Sequence, residues 1–125
     1  MYVSFEYDRS YFPPFPVLEI TIIGGTTQQI VTGLIDSGSD ATQVPLHILQ
    51  MVGARDVDDR WVRDYYGIRR PATIYAVQLQ IGSLVLYGME VIGRERTDEV
   101  LVGRDVLNQL IVTLNGLAHV TQISD

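Results

Sequence analysis

Two short stretches hold the residues whose types and spacing could do chemistry. In GLIDSGSD, Gly33 to Asp40, the apolar run IVTGLI ends in a carboxylate, Asp36, followed by a Ser-Gly-Ser turn. A carboxylate fixed at the end of a strand can accept or donate a proton for a bound substrate. Asp, Ser and Gly are also ordinary turn residues, so the tripeptide alone carries no function. The second stretch is LVGRDVL, Leu101 to Leu107, an apolar strand that ends in Gly103-Arg104-Asp105 and opens a helix. The ordered arrangement adds weight: apolar strand, Asp36, the turn Ser37 to Thr42, the apolar pair Val44-Pro45, then the second strand and its helix.

The composition bounds what such a site can be. At 125 residues the chain is long enough for one domain with its own core. It is 46% hydrophobic and 19% charged, a globular balance. No cysteine is present, which excludes disulfides, thiol nucleophiles and thiolate metal sites. His47 and His119 form no metal-binding pair, and no serine lies in a G-x-S-x-G setting. We therefore expect no metal and no cofactor. The net charge of -6 comes from fifteen acids against nine arginines and no lysine, which argues against nucleic acid as a partner. No apolar run is long enough to span a membrane. The opening MYVSFEYDRSYFPPFP has acids and prolines where a signal peptide would have a basic and then an apolar block, so the expectation is a cytoplasmic protein.

The elements that must position Asp36 read mostly as short strands. Residues 1–16 are aromatic and proline-rich; Pro13, Pro14 and Pro16 forbid a helix, and the segment reads as an arm packed across the domain or against a partner. The domain proper spans 17–125. VLEITII and QQIVTGLI form a hairpin about Gly24-Gly25. PLHILQMVG is a short helix with proline in its first turn and Gly53 as its stop. TIYAVQLQIG and LVLYGMEVIG are strands around Gly82-Ser83, DEVLVG is a buried strand, and RDVLNQL is a brief helix. IVTL and LAHVTQI close a hairpin at Asn115-Gly116. The class is all-β, a closed small barrel with two short helices.

The combination LIDSGSDATQVP with LVGRDVLNQL resembles the retropepsin-like aspartic proteases, whose pattern is D-[TS]-G-[AS] followed by apolar-apolar-G-[RKN] and a helix. The resemblance runs from about Val17 to Ile123. It implies the acid-protease barrel, active as a two-fold homodimer in which Asp36 of each chain faces the other. Two such carboxylates share one proton, so one draws a proton from water while the other protonates the peptide carbonyl. The implied activity is that of an aspartic endopeptidase on a peptide or protein substrate.

By the same resemblance Ser37 bonds across the axis, Gly38 lets backbone N–H groups approach Asp36, and the Ser39 hydroxyl donates to Asp36. An activity optimum on the acid side of neutral is then expected. Asp40 and Arg104 form an ion pair bracing the loop to the helix start, and Asp105 is a helix N-terminal acid. A flap that closes over the substrate is expected near Trp61 to Tyr75, with Tyr65, Tyr66, Gly67 and Ile68 at its tip. Arg69-Arg70 there would favour acidic residues near the scissile bond. Asp56, Asp58 and Asp59 lack the glycine and glutamate of a calcium loop and read as a solvated loop. Tyr2, Tyr7, Tyr11 and Tyr87 read as half-buried packing. The rival from another class is a catalytically silent dimeric peptide-binding or oligomerisation module with the same fold.

Overall fold

The computed structural model describes all residues from Met1 to Asp125. Alternating apolar residues give β2 (Val17–Ile23) and β3 (Gln28–Ile35), paired antiparallel from Val17↔Leu34 to Ile23↔Gln28. After β3 come β4 (Gln43–Pro45) and α1 (Leu46–Val52). Helix α1 follows a proline and stops at Gly53, whose φ of 70° is the left-handed conformation that glycine adopts without strain. Then β5 (Arg55–Arg63), β6 (Arg69–Ile81) and β7 (Leu84–Arg94) form a meander. Strand β8 (Val100–Val102) leads into α2 (Arg104–Leu107), and β9 (Ile111–Asn115) and β10 (Val120–Ser124) close the chain.

Strand order β2-β3-β8-β4-β7-β6, with β6 returning to pair β2 from Thr21↔Gln80 to Ile23↔Gln78, closes a six-stranded barrel; β5 lies outside on β6. Closure leaves the barrel strands no open edge. Inside lie Leu18, Ile20, Ile22, Leu49, Leu79, Ile81, Val91 and Val102, all essentially without solvent contact. Truncating one of the leucines to alanine costs about 2–5 kcal/mol by the lost transfer energy and the cavity left behind.

The structure departs from sequence expectation at the chain start. Tyr2–Glu6 is a strand, β1, paired antiparallel to β10, with Val3 and Phe5 turned toward the core. Its alternation is short and flanked by aromatics and prolines, which hid the period. The rest of the arm folds back on the domain through an Asp8↔Phe15 bridge, and Tyr11 donates its hydroxyl to Glu99. That bond and the adjacent carboxylate push the Tyr11 pKa up to about 12. Tyr7 is buried and stacks on His119 at 5.5 Å, but Tyr2 and Tyr87 are 66% and 76% exposed rather than half-buried. Asp56, Asp58 and Asp59 stand on β5, a strand and not a loop. Their charges conceal a strand held by cross-strand contacts, Arg60 to Glu90 at 2.8 Å and Thr73 to Asp59 at 3.1 Å.

Candidate active site

The parallel pairing of β3 with β8, Gly33↔Val100 through Ile35↔Val102, brings the two chemical stretches together. Both strands end at the same edge of the barrel, so Asp36 and Gly103 leave it side by side, and the Asp36 N–H donates to the Val102 carbonyl at 3.0 Å. Gly103 approaches so closely that a Cβ there would lie 2.7 Å from the Ala41 backbone. Any larger residue would force the two stretches apart.

Asp36 is half-buried at the start of an exposed turn, Ser37-Gly38. The Gly38 N–H donates to Asp36 Oδ1 at 3.1 Å, as expected for a glycine that lets the backbone curl back onto the carboxylate. Oδ2 receives no donor from the protein, leaving it open to a bound water. Ser37 is exposed and its side chain makes no bond within the chain.

Two expectations are corrected. The Ser39 hydroxyl does not reach Asp36. It donates to the Ala41 carbonyl at 2.7 Å and accepts from the Gln43 amide at 3.1 Å, so it stiffens the loop rather than the carboxylate. Asp40 and Arg104 form no ion pair. Asp40 is exposed, and Arg104 Nη1 donates to the Ser37 carbonyl at 2.7 Å, holding the turn by its backbone.

The brace is made instead by Thr42 and Asp105, a pair the sequence did not disclose. Thr42 is fully buried; its hydroxyl donates to Asp105 Oδ1 at 2.7 Å and its N–H to Oδ2 at 3.0 Å. Asp105 Oδ1 also accepts from the Val106 N–H at 2.9 Å, and the Thr42 oxygen accepts from the Gly103 N–H at 3.1 Å. Asp105 is thus both the helix N-terminal acid and the clamp on the loop. The available signal was Thr42 standing two residues before the apolar Val44, at the spacing of one inward face, because a buried hydroxyl needs a partner.

The hairpin β5–β6 carries the expected flap residues, and its arms reach further back than Trp61, to Arg55. Its tip, Asp64–Ile68, is built on one carboxylate: Asp64 Oδ1 accepts from the Tyr66 and Ile68 N–H groups at 2.9 Å each, and Oδ2 from Arg70 at 3.1 Å. These bonds, led by that from Ile68, lower the Asp64 pKa. Tyr65 and Tyr66 are 96% and 83% exposed, and Ile68 and Gly67 are exposed too. Both tip arginines are engaged within the hairpin, Arg70 by Asp64 and Arg69 over the Trp61 ring at 5.9 Å.

No family model matches this sequence, and no curated protein does. Solved structures do. A retropepsin-like aspartic protease from Rickettsia conorii superposes with a TM-score of 0.69 at 12% identity, covering 98% of this chain and 90% of that one. The EIAV protease complexed with the inhibitor HBY-793 gives 0.63 at 13% identity, over 76% of this chain and 86% of that one. The Simian Foamy Virus (mac) protease gives 0.54 at 21% identity, over 74% and 91%. At such identities the likeness lies in the path of the backbone. The chain has the retropepsin-like aspartic protease fold.

Proposed function

We propose that this chain is an aspartic endopeptidase that works as a homodimer, with Asp36 and Asp36 of the partner subunit forming the catalytic dyad. The observation that carries the reading is Asp36 itself, at the end of a barrel strand of this fold, half-open to solvent, with one oxygen held by Gly38 and the other free. Two carboxylates brought together hold one proton between them, because ionising both costs their mutual repulsion. The ionised member takes a proton from water as the water oxygen attacks the peptide carbonyl carbon. The protonated member gives its proton to the carbonyl oxygen. The resulting gem-diol collapses with cleavage of the C–N bond, and the nitrogen leaves with a proton returned by the dyad. No covalent enzyme intermediate forms.

The remaining residues serve this step by position. Thr42, Asp105, Gly103 and Arg104 fix the loop from four sides, so Asp36 needs little reorganisation when substrate arrives. The β5–β6 tip closes over an extended peptide, with Tyr65, Tyr66 and Ile68 supplying apolar contact. Digestion of an unbiased peptide library across pH, read by mass spectrometry, tests the reading. Wild type cuts best on the acid side of neutral and is blocked by a statine-type inhibitor; Asp36→Asn loses at least about 10³-fold in rate while keeping its fold. Equal cutting by both proteins, or none by a dimeric wild type, would overturn it.

A further inference from the structure

The segment between β1 and β2, residues 7–16, is a small hairpin of its own that lies against β3. Asp8 and Phe15 exchange both backbone bonds, at 2.9 and 3.0 Å, and Asp8 Oδ1 accepts from the Ser10 N–H and hydroxyl. The arm ends at Pro16, whose carbonyl accepts from the Ile35 N–H at 3.1 Å, one residue before Asp36. Tyr11 packs on Phe15, with ring centroids 5.4 Å apart, and its hydroxyl donates to Glu99 Oε2. Between this arm, β3, α1 and the start of β8 lies a cavity of about 330 Å³, within the size range of ligand pockets.

The cavity is apolar at its base and acidic at its rim. Leu34, Ile48 and Val100 form the base, and all three are buried. Leu34 stands two residues before Asp36, so strand alternation puts it on the side from which Asp36 leaves the barrel. Asp8, Asp98 and Glu99 form the rim. No arginine pairs with any of them; the nearest basic group is His47, whose Nε2 lies 3.9 Å from Asp98 Oδ1. Asp8 Oδ2 and Glu99 Oε1 receive no donor from the protein. The Ser10 bonds lower the Asp8 pKa, so that carboxylate keeps its charge in mild acid.

We propose that this cavity receives one basic side chain of the substrate peptide, arginine before lysine, with its stem on the apolar base and its charged head among Asp8, Asp98 and Glu99. Charge complementarity names the occupant. A long basic side chain buries its methylenes against apolar surface while its head stays at the polar rim. Arginine leads because its planar fork gives a carboxylate two parallel N–H bonds, where an ammonium acts as a point charge. The Tyr11 hydroxyl fixes one oxygen of Glu99 and leaves the other for the substrate. The inference rests on the peptidase reading and narrows its substrate class. It reverses the preference for acidic residues expected from Arg69-Arg70, both of which are engaged within the hairpin.

The test sorts one unbiased peptide library in two ways at about pH 5.5, above the ordinary carboxylate values. Wild type digests it, and immobilised Asp36→Asn captures from it, both read by mass spectrometry. The expected digest is enriched in arginine, then lysine, at one fixed position near the cut. A peptide with arginine there is cut at least about tenfold better, by kcat/KM, than its methionine counterpart. Glu99→Gln, and Asp8→Asn with Asp98→Asn, each cut that ratio severalfold with circular dichroism unchanged. Glu6→Gln, the same loss of charge on β1, leaves it unmoved. Cutting with no basic enrichment, or a ratio that survives removal of all three rim charges, overturns the inference and leaves the protease reading standing. If wild type cuts nothing while Asp36→Asn retains arginine peptides and releases them once Glu99→Gln is added, the cavity stands and the protease reading falls. A library neither cut nor sorted by charge overturns both.

Discussion

The Asp36 loop and the tip of the β5–β6 hairpin are both short turns gathered around an aspartate, yet they are tied to the molecule in opposite ways. Beyond its own short-range bonds, the Asp36 loop is tied to the rest of the molecule by bonds between residues 61 to 67 positions apart, Thr42 to Asp105, Gly103 to Thr42 and Arg104 to Ser37. The side-chain bonds of Asp64 reach only two to six positions, to Tyr66, Ile68 and Arg70. The first turn is anchored only when the barrel is formed. The second is a local unit that can swing on β5 and β6 without losing any of its own bonds. The proposed hydrolytic function would use both kinds: a fixed carboxylate to hold water, and a cover that moves to admit the substrate.

The sharpest way to break this contrast is at Thr42. Thr42→Val keeps the shape but removes the hydroxyl that Asp105 and the Gly103 N–H share, leaving the buried Gly103 N–H without a partner and the half-buried Asp105 with one donor fewer. The expected loss is about 2–3 kcal/mol of global stability in urea unfolding, with activity falling alongside. Unchanged stability would show that the loop is held by backbone pairing alone. Next in size is Asp64→Ala. It removes three acceptor contacts from an exposed turn, so global stability should move by only about 0.5 kcal/mol. Peptide cleavage should nevertheless slow severalfold through a raised KM, because the tip no longer presents Tyr65, Tyr66 and Ile68 in one geometry. A global unfolding effect comparable to that of Thr42→Val would erase the distinction between the two turns.

The same contrast explains what was legible in the sequence. The barrel strands could be read because VLEITII and TIYAVQLQI alternate with the period of a half-buried strand. Asp36 and Gly38 could be read because the turn is contiguous and its chemistry is local. The brace could not. What Arg104 and Thr42 reach depends on the β3–β8 register, and that register sets the Gly103 backbone against Ala41 and so brings Asp105, not Asp40, into the joint. Strand β5 escaped notice for a related reason. Its charges look solvated in sequence, and only the fold supplies Glu90 and Thr73 across from them. Local contacts write themselves into adjacent residues; long-range ones do not.

The smallest expected effect concerns acid, where an aspartic protease is expected to work. Asp64 has its pKa lowered in the folded tip, chiefly by the Ile68 N–H and further by Arg70 and Tyr66. A depressed folded pKa means the carboxylate orders the turn fully above the ordinary carboxylate value of about 3.9 and loses that contribution as pH falls through the lower folded value. The tip should therefore stay formed through the mildly acidic range and loosen only below it. The amide resonances of Tyr66 and Ile68 should move together on acid titration, at a pH below that of an unhindered aspartate. In Asp64→Asn the side-chain oxygen still accepts both N–H groups but cannot titrate, so the turn persists and the pH-dependent step disappears. If the step survives in that variant, some other group sets the acid limit of this turn, and the tip is not the self-contained unit that its short-range bonds describe.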